Sequence, residues 1–184
     1  MKKLLFLMLL VVAAVISGCD SSPSNGGADS SSAYAVITDD LGREVVLAKK
    51  PERIVVTSAS FLEPLEAVDG AKLVVGRPDS KTKMPAFAKE LTSVGKVYQI
   101  DVEKVLACNP DLVIINKGMN EKLVDALESN GVKTLVLDMK SYEDVKREVG
   151  ILSKVTGAKE KGEQLVADMD AKIKAVRDKI PQDK

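Results

Sequence analysis

"DVEKVLACNPDLVIINKG", residues 101–118, combines a short amphipathic helix, a forced stop and an unbroken apolar strand. Pro110 disfavours helical backbone at Asn109, so the helix is predicted to end there and the chain to leave it extended. The apolar residues 112–115 do not alternate with polar ones, which is typical of a strand buried on both faces. The stretch therefore predicts a helix that leads directly into a central strand of a parallel sheet.

The helix has one inward and one outward side. Asp101 is predicted to cap its N-terminus, because the carboxylate can accept hydrogen bonds from the first free backbone N–H groups. Val102, Val105 and Leu106 have the i, i+3, i+4 spacing of a buried face. The helix therefore presents Glu103 to solvent.

Other apolar runs recur along the chain with helical patterns between most of them. They cover residues 54–56, 73–75, 112–115 and 134–137. This rhythm predicts an α/β fold with a parallel sheet flanked by helices, whose ligands collect at the carboxyl ends of the strands. Ahead of the sheet, residues 34–54 alternate around Asp39–Gly42, which predicts a β-hairpin at an edge.

Three helix starts carry capping signals. Ser60 with Glu63, and Ser141 with Asp144, have the spacing of a capping box. Asn120 is predicted to cap the helix that follows it.

The first 33 residues predict export and anchoring rather than fold. Residues 1–18 have the charged start, short apolar run and small-residue exit of a signal peptide. The four residues ending at Cys19 resemble a bacterial lipobox, which implies lipidation of Cys19 and a place on the extracytoplasmic face of the cell membrane. An ordinary signal peptide with an incidental cysteine is the alternative. Residues 19–33 are rich in serine and glycine and predict a flexible tether.

Composition argues against several functional classes. Lys+Arg and Asp+Glu are both 27, so there is no net charge to attract nucleic acid. Histidine is absent, and the chain contains neither G-x-G-x-x-G nor G-K-[ST]. We therefore expect neither an enzyme nor a bound cofactor or resident metal. Cys108 is predicted to pack as a small apolar group.

The C-terminal segment is predicted to form a long helix. From Ala158 to about Ile180 the large apolar residues form one narrow stripe, at positions 165, 169, 173, 176 and 180. Two interpretations are open: a terminal helix lying across its own domain, or a strut leading to another part of the protein.

Several motifs in this order resemble the metal-chelate class of substrate-binding proteins of ABC importers. They are the lipobox and tether, "TDDLGREV", "KKPERIVV", "EAVDGAKLVVGRP", "LTSVGKV" and the "E-x-x-x-x-x-x-P-D-L-V-I" core that begins at Glu103. The resemblance covers residues 34 to about 180. It implies capture of an iron siderophore, haem or cobalamin and its delivery to a permease in the cytoplasmic membrane.

The resemblance also implies a domain organisation. Family members have two α/β lobes joined by one rigid helix, with the ligand held between them. Residues 34–157 correspond to the N-terminal lobe and residues 158–184 to the connecting helix, so a second lobe is absent from this sequence. A fragment or truncated product, or a relative with one lobe, would explain this. In the family a surface glutamate on each lobe docks to the permease, and Glu103 has the matching place in the motif.

Candidate ligand contacts follow the predicted strands. Ser58, Ser60 and Phe61 lie after the first strand at a helix N-terminus, and Arg77 offers a planar fork for carboxylate or catecholate oxygens. Val97 and Tyr98 align with a family position that often contributes an aromatic or metal-proximal side chain. The residues that follow strand 112–115 complete the set: Asn116, Lys117 and Met119.

The cargo is open at this level. Arg77 and Lys117 favour an anionic ferric siderophore, while haem and cobalamin remain alternatives. A scaffold or truncated surface lipoprotein without high-affinity binding is the competing function.

Anchoring through Cys19 is directly testable. We expect Cys19→Ala to move the protein from the membrane fraction to the soluble extracytoplasmic fraction, because acyl chains hold a protein to a bilayer by roughly 0.8 kcal/mol per buried methylene. Fractionation followed by immunoblotting measures this. Retention on the membrane of a variant whose signal peptide has been cleaved would contradict lipidation at this residue.

Overall fold

The computed structural model describes residues 33–180. The predicted signal peptide, Cys19 and residues 20–32 of the tether lie outside this range. Within it, no helix is both long enough and apolar enough to cross a bilayer.

A six-stranded sheet forms the centre of the fold, in the order β6-β5-β4-β3-β7-β8. All neighbouring strands are parallel except β5 and β6, which pair antiparallel. The strands are β3 (Ile54–Val56), β4 (Val74–Asp79), β5 (Thr92–Lys96), β6 (Gln99–Ile100), β7 (Leu112–Asn116) and β8 (Lys133–Leu137). The predicted parallel sheet flanked by helices is thus confirmed.

Strands β5 and β6 were not among the predicted strands. In β5 only Val94 is buried, so this strand has no continuous apolar run to reveal it. It lies next to the edge strand β6, where a strand can be part of the sheet with only one buried side chain.

The sheet is covered on both faces by apolar cores. Side chains alternate along each strand, so Val113 and Ile115 of β7 face one core while Leu112 and Ile114 face the other. All four are fully buried. The unbroken run in the sequence therefore reflects a strand that contacts helices on both sides.

The helices divide between these two faces. They are α1 (Leu62–Ala67), α2 (Val102–Ala107), α3 (Val124–Glu128), α4 (Tyr142–Thr156) and α5 (Lys159–Arg177). Leu65 of α1 and Leu152 of α4 pack in one core, and Val105 of α2 and Leu127 of α3 pack in the other.

Two of the predicted caps are confirmed and two are wrong. Asp101 accepts hydrogen bonds from the Glu103 and Lys104 backbone N–H groups, and Ser141 forms a reciprocal capping box with Asp144. Ser60 is not a cap, because Ser58 caps a 3₁₀ turn at residues 59–61 and α1 begins after it without a side-chain cap. Asn120 makes no capping bond, because its side chain is used elsewhere.

The predicted hairpin is present as β1 (Ala35–Thr38) and β2 (Glu44–Leu47) and covers the β8 edge. The buried Asp39 carboxylate accepts from the Val136 backbone N–H, at 3.3 Å, and from the Arg43 guanidinium. Arg43 also reaches Glu128 and Thr134. Burial acts to raise the pKa of Asp39, but the bonds from Arg43 and from the Val136 backbone N–H outweigh it, so the pKa is lowered. The bond from Val136 also gives a partner to a backbone N–H of the edge strand β8.

Helix α5 follows α4 after a tight reversal at Gly157, whose φ of +75° favours glycine. The first half of α5 packs closely on α4, because a Cβ at Gly162 would lie 2.5 Å from the Ser153 Cβ. Its second half is exposed, with Ile173 and Val176 among the exposed large apolar residues, and Ile180 beyond its end is exposed as well. The predicted long helix is therefore present, and the apolar stripe continues beyond the contact with its own domain.

One ionisable side chain lies inside this fold without a hydrogen-bond partner among residues 33–180. Glu148 of α4 is 1% exposed, and neither carboxyl oxygen has a hydrogen-bond partner within the described chain. Burial raises its pKa to about 8; Arg147 opposes this, and Asp40, Asp138 and Asp144 add to it. The side chain is therefore mainly protonated at neutral pH.

We expect Glu148→Gln to stabilise the protein, increasingly so as pH rises from about 4.5 to about 8. In that window the folded parent keeps a proton that the unfolded chain releases, so the parent's free energy of unfolding falls with pH. The glutamine variant lacks this loss, and its advantage above pH 8 should reach roughly 2–5 kcal/mol. Urea unfolding across pH measures it, with Glu160→Gln, at an exposed position on α5, as the control. An advantage that does not change with pH would contradict the assignment.

Candidate functional site

The carboxyl ends of five parallel strands meet at one edge of the sheet, here called the cargo edge. It comprises the segments that follow β3, β4, β5, β7 and β8, beginning at residues 57, 80, 97, 117 and 138. Most of the predicted site residues lie in these segments. The cargo edge is therefore the surface at which the sequence-based site can be examined.

The segment after β3 is hydrogen-bonded within itself. Ser58 Oγ accepts from the Ser60 backbone N–H at 3.4 Å and lies 2.8 Å from Ser60 Oγ. The Phe61 backbone N–H donates to the Ser58 carbonyl, and the Phe61 side chain is fully buried in the core. Ser58 and Ser60 thus offer hydroxyls at the edge, while the Phe61 ring supports the turn from beneath.

Arg77 is engaged by the protein itself. Its Nε donates to the Ala88 carbonyl at 3.0 Å and its Nη2 to the Lys89 carbonyl at 3.2 Å. Its Nη1 donates to the Pro78 carbonyl and to Asp79. The guanidinium therefore fastens the 3₁₀ turn at residues 86–88 to β4, and contact with a ligand stays a prediction.

Val97 and Tyr98 form the two-residue loop between β5 and β6. Gly95 precedes it with a φ of +106°, and a Cβ there would lie 2.6 Å from the Gln99 carbonyl oxygen. Only glycine fits this close approach. The loop leaves Tyr98 as the most exposed large apolar residue of the described chain, at 66%.

The segment after β7 is held at both sides. The Asn116 backbone N–H donates to Thr57 Oγ1 at 3.0 Å, and the Lys117 backbone N–H donates to the Leu137 carbonyl at 2.9 Å. Lys117 Nζ donates to the Asp40 carbonyl at 2.6 Å, which ties the hairpin tip to this edge. Met119 follows at 47% exposure, so Tyr98 and Met119 are the two large exposed apolar side chains of the cargo edge.

Sequence reasoning missed the contact that joins these two loops. Asn120 Nδ2 donates to the Val97 carbonyl at 2.9 Å, across 23 residues of chain. It also missed Asp138, Met139 and Lys140, which follow β8 at the same edge. The rule that ligands lie after strand ends would have found this last group, whereas no local pattern distinguishes Asn120 from a helix cap.

Helix α2 presents Glu103 as predicted. The Asp101 cap fixes the first turn, and Val105 is fully buried beneath it. Glu103 is exposed, and its carboxylate has no salt-bridge partner between residues 33 and 180. An outward carboxylate on a capped helix is available to another molecule.

Residues that would hold a resident metal ion are not assembled in the described part of the chain. It contains no group of three or more His, Cys, Asp or Glu residues able to hold a metal ion. Cys108 is buried, and desolvation raises the pKa of its thiol against the opposing effects of Arg53 and Thr92. This cysteine packs as an apolar group in the core that also contains Val105 of α2 and Leu127 of α3, as the sequence predicted.

Residues 54–184 match the periplasmic binding protein family, and the chain belongs to that family. One relative is an uncharacterized ABC transporter substrate-binding lipoprotein, YvrC of Bacillus subtilis, 29% identical over 81% of this chain and 48% of its own length. Another is the iron(3+)-hydroxamate-binding protein FhuD of the same organism, 30% identical over 88% of this chain and 50% of its own.

A similar solved structure is that of the iron uptake ABC transporter substrate-binding protein PiuA from Streptococcus pneumoniae. It superposes with a TM-score of 0.67 at 27% identity, over 78% of this chain and 52% of that one. The chain thus spans about half the length of the relatives it matches.

The α2 geometry generates a stability prediction. We expect Asp101→Ala to lower the free energy of unfolding by about 1 kcal/mol, because two backbone N–H groups lose their acceptor. Glu103→Ala on the same helix should stay within about 0.5 kcal/mol of the parent, since exposed substitutions have small effects. Urea denaturation compares the two. Equal losses would show that Glu103 has a structural role.

Proposed function

We propose that this chain supplies the N-terminal lobe and connecting helix of a substrate-binding lipoprotein of an ABC importer. Its cargo edge contacts a metal chelate, and its α2 helix docks to the permease. The observation that carries the proposal is the family match across residues 54–184 together with a sheet whose strand ends form one continuous edge.

Within this proposal the cargo is a ferric siderophore. The name of the relative FhuD specifies an iron(3+) hydroxamate, and that of the PiuA structure specifies iron uptake. Lys96 is exposed at the end of β5, and Lys117 uses one of its three N–H donors on Asp40. Lys140 follows β8 and is paired with the Asp138 carboxylate at 2.8 Å. These cationic groups favour an anionic chelate, whereas haem and cobalamin are the competing cargoes.

Tyr98 and Met119 supply the apolar part of the same surface. An exposed aromatic ring and thioether at an otherwise polar edge match the usual composition of ligand sites, in which a few polar groups orient a mainly apolar contact. Ser58 and Ser60 add hydroxyls from the centre of the sheet. This set, with Asn116 and Lys117, is the proposed chelate surface.

Glu103 is the proposed permease contact. An exposed ion pair at the rim of an interface orients the partners and accelerates their encounter more than it adds affinity. Lipidation of Cys19 and the 19–33 tether would keep the lobe within reach of the membrane.

The test of cargo binding is equilibrium dialysis of the purified full-length chain against ferric hydroxamate, ferric citrate, haem and cobalamin. We expect a ferric chelate to be retained best, and Tyr98→Ala to weaken retention about tenfold because aromatic anchors often dominate binding free energy. Tyr34→Ala is the matched control. The Tyr34 hydroxyl donates to the Val155 carbonyl at the C-terminal end of α4, which does not belong to the cargo edge. Retention of none of the four compounds would contradict chelate capture and support the scaffold alternative.

The test of docking is uptake of the retained chelate in cells. We expect Glu103→Ala to leave dialysis results unchanged but to reduce the uptake rate, because the change affects encounter with the permease and not the cargo edge. Glu63→Ala is the control, since Glu63 is exposed on α1 at the other face of the sheet. Parental uptake by the Glu103 variant would remove the docking role.

A further inference from the structure

The loop that carries Tyr98 has little support of its own. It connects β5 to β6, and β6 is a two-residue strand at the edge of the sheet. The pairing between them consists of Gly95 with Ile100 and Lys96 with Gln99, and it is followed by one bond from the Asp101 backbone N–H to the Val94 carbonyl. Such a short edge pairing cannot by itself hold an exposed tyrosine in one position.

Asn120 links this loop to a central strand. Its backbone N–H donates to the Asn116 carbonyl at the end of β7, at 3.0 Å. Its side-chain Nδ2 donates to the Val97 carbonyl, at 2.9 Å. Asn120 is 1% exposed, so this link lies beneath the surface. It joins residues 97–98, here called the Tyr98 loop, to residues 117–119, here called the Met119 segment.

Packing alone does not account for an asparagine at this position. Asn120 Oδ1 is buried and accepts no hydrogen bond from residues 33–180. Burial of an unsatisfied amide oxygen is unfavourable, and an apolar side chain of similar size would avoid it. The Asn120 side chain therefore contributes through the hydrogen bond from its Nδ2 to the Val97 carbonyl, and not through the stability of the core.

We propose that Asn120 is a positioning residue that fixes the Tyr98 loop against the Met119 segment. It touches no cargo itself. The part of this inference that concerns affinity rests on the proposed function, whereas the part that concerns the loop stands on the hydrogen bond alone.

The loop can be observed without any cargo. The chain contains no tryptophan, so Tyr98→Trp places a single indole in the loop. In the full-length chain we would compare the reporter alone with reporter variants that also carry Asn120→Leu or Asn120→Ala. Asn130→Ala is the matched control, because Asn130 Nδ2 also donates to a backbone carbonyl, that of Ala126, but at the far end of α3.

Both Asn120 variants should release the loop. We expect amide hydrogen exchange in residues 96–100 to accelerate about fivefold, the effect of losing one typical hydrogen bond, with lower fluorescence anisotropy of the indole. Asn120→Leu should keep or raise the melting temperature, which separates positioning from general stability. The Asn130 control should leave exchange in residues 96–100 unchanged. Parental exchange and anisotropy in both Asn120 variants would overturn the inference.

Cargo binding is then measured without the reporter substitution. With a chelate that the parent retains, we expect Asn120→Leu to weaken binding about threefold to tenfold, and unchanged affinity would overturn the positioning role in recognition. A parent that retains no chelate contradicts the proposed function, and the exchange comparison then decides the inference about the loop.

Discussion

The fold depends on the need to cover both faces of the β3–β7 pair. Every residue of Ile54–Val56 and Leu112–Ile115 is fully buried, so helices must pack on each side of the sheet. Parallel strands in turn require crossover connections, and these connections provide the helices. The same geometry places all five parallel strand ends at one edge, and the candidate site follows from it.

The helices cover the faces of the sheet but not its two edge strands, which have unpaired backbone N–H and C=O groups. The two edges differ in how these groups are covered. At β8, the Asp39 carboxylate and the Asp40 backbone N–H bond to Val136, and Arg43 holds Asp39 in place. At the opposite edge the sheet ends in the short strand β6. One edge is therefore closed by a charged network, whereas the other ends next to the exposed Tyr98.

Much of this architecture could be predicted from the sequence, because apolar runs and reciprocal caps are local signals. The four buried strands, the hairpin, the Asp101 cap and the Ser141 box are of this kind. The strand β5 was missed because a single buried valine does not form a pattern. Asn120 and Ser60 were misassigned because capping residues are defined by where the side chain bonds, and composition at a given spacing does not determine that.

The candidate site was less predictable for the same reason. Strand order brings the segments after β5 and β7 to one edge, but the bonds of Arg77 to the Ala88 and Lys89 carbonyls depend on the path of an irregular loop. Lys117 likewise bonds the Asp40 carbonyl, 77 residues away. Long-range polar contacts of this type fix the loops, and no periodicity in the sequence encodes them.

The close packing of Gly162 against Ser153 has a mechanical consequence. Helices α4 and α5 touch almost backbone to backbone there. Further along α5, Asp170 accepts hydrogen bonds from the Tyr142 hydroxyl and from Lys146 Nζ of α4. From Asp170 onward every residue of α5 is exposed. A sideways load on the far end of α5 would therefore reach α4 through the contacts at Gly162 and Asp170.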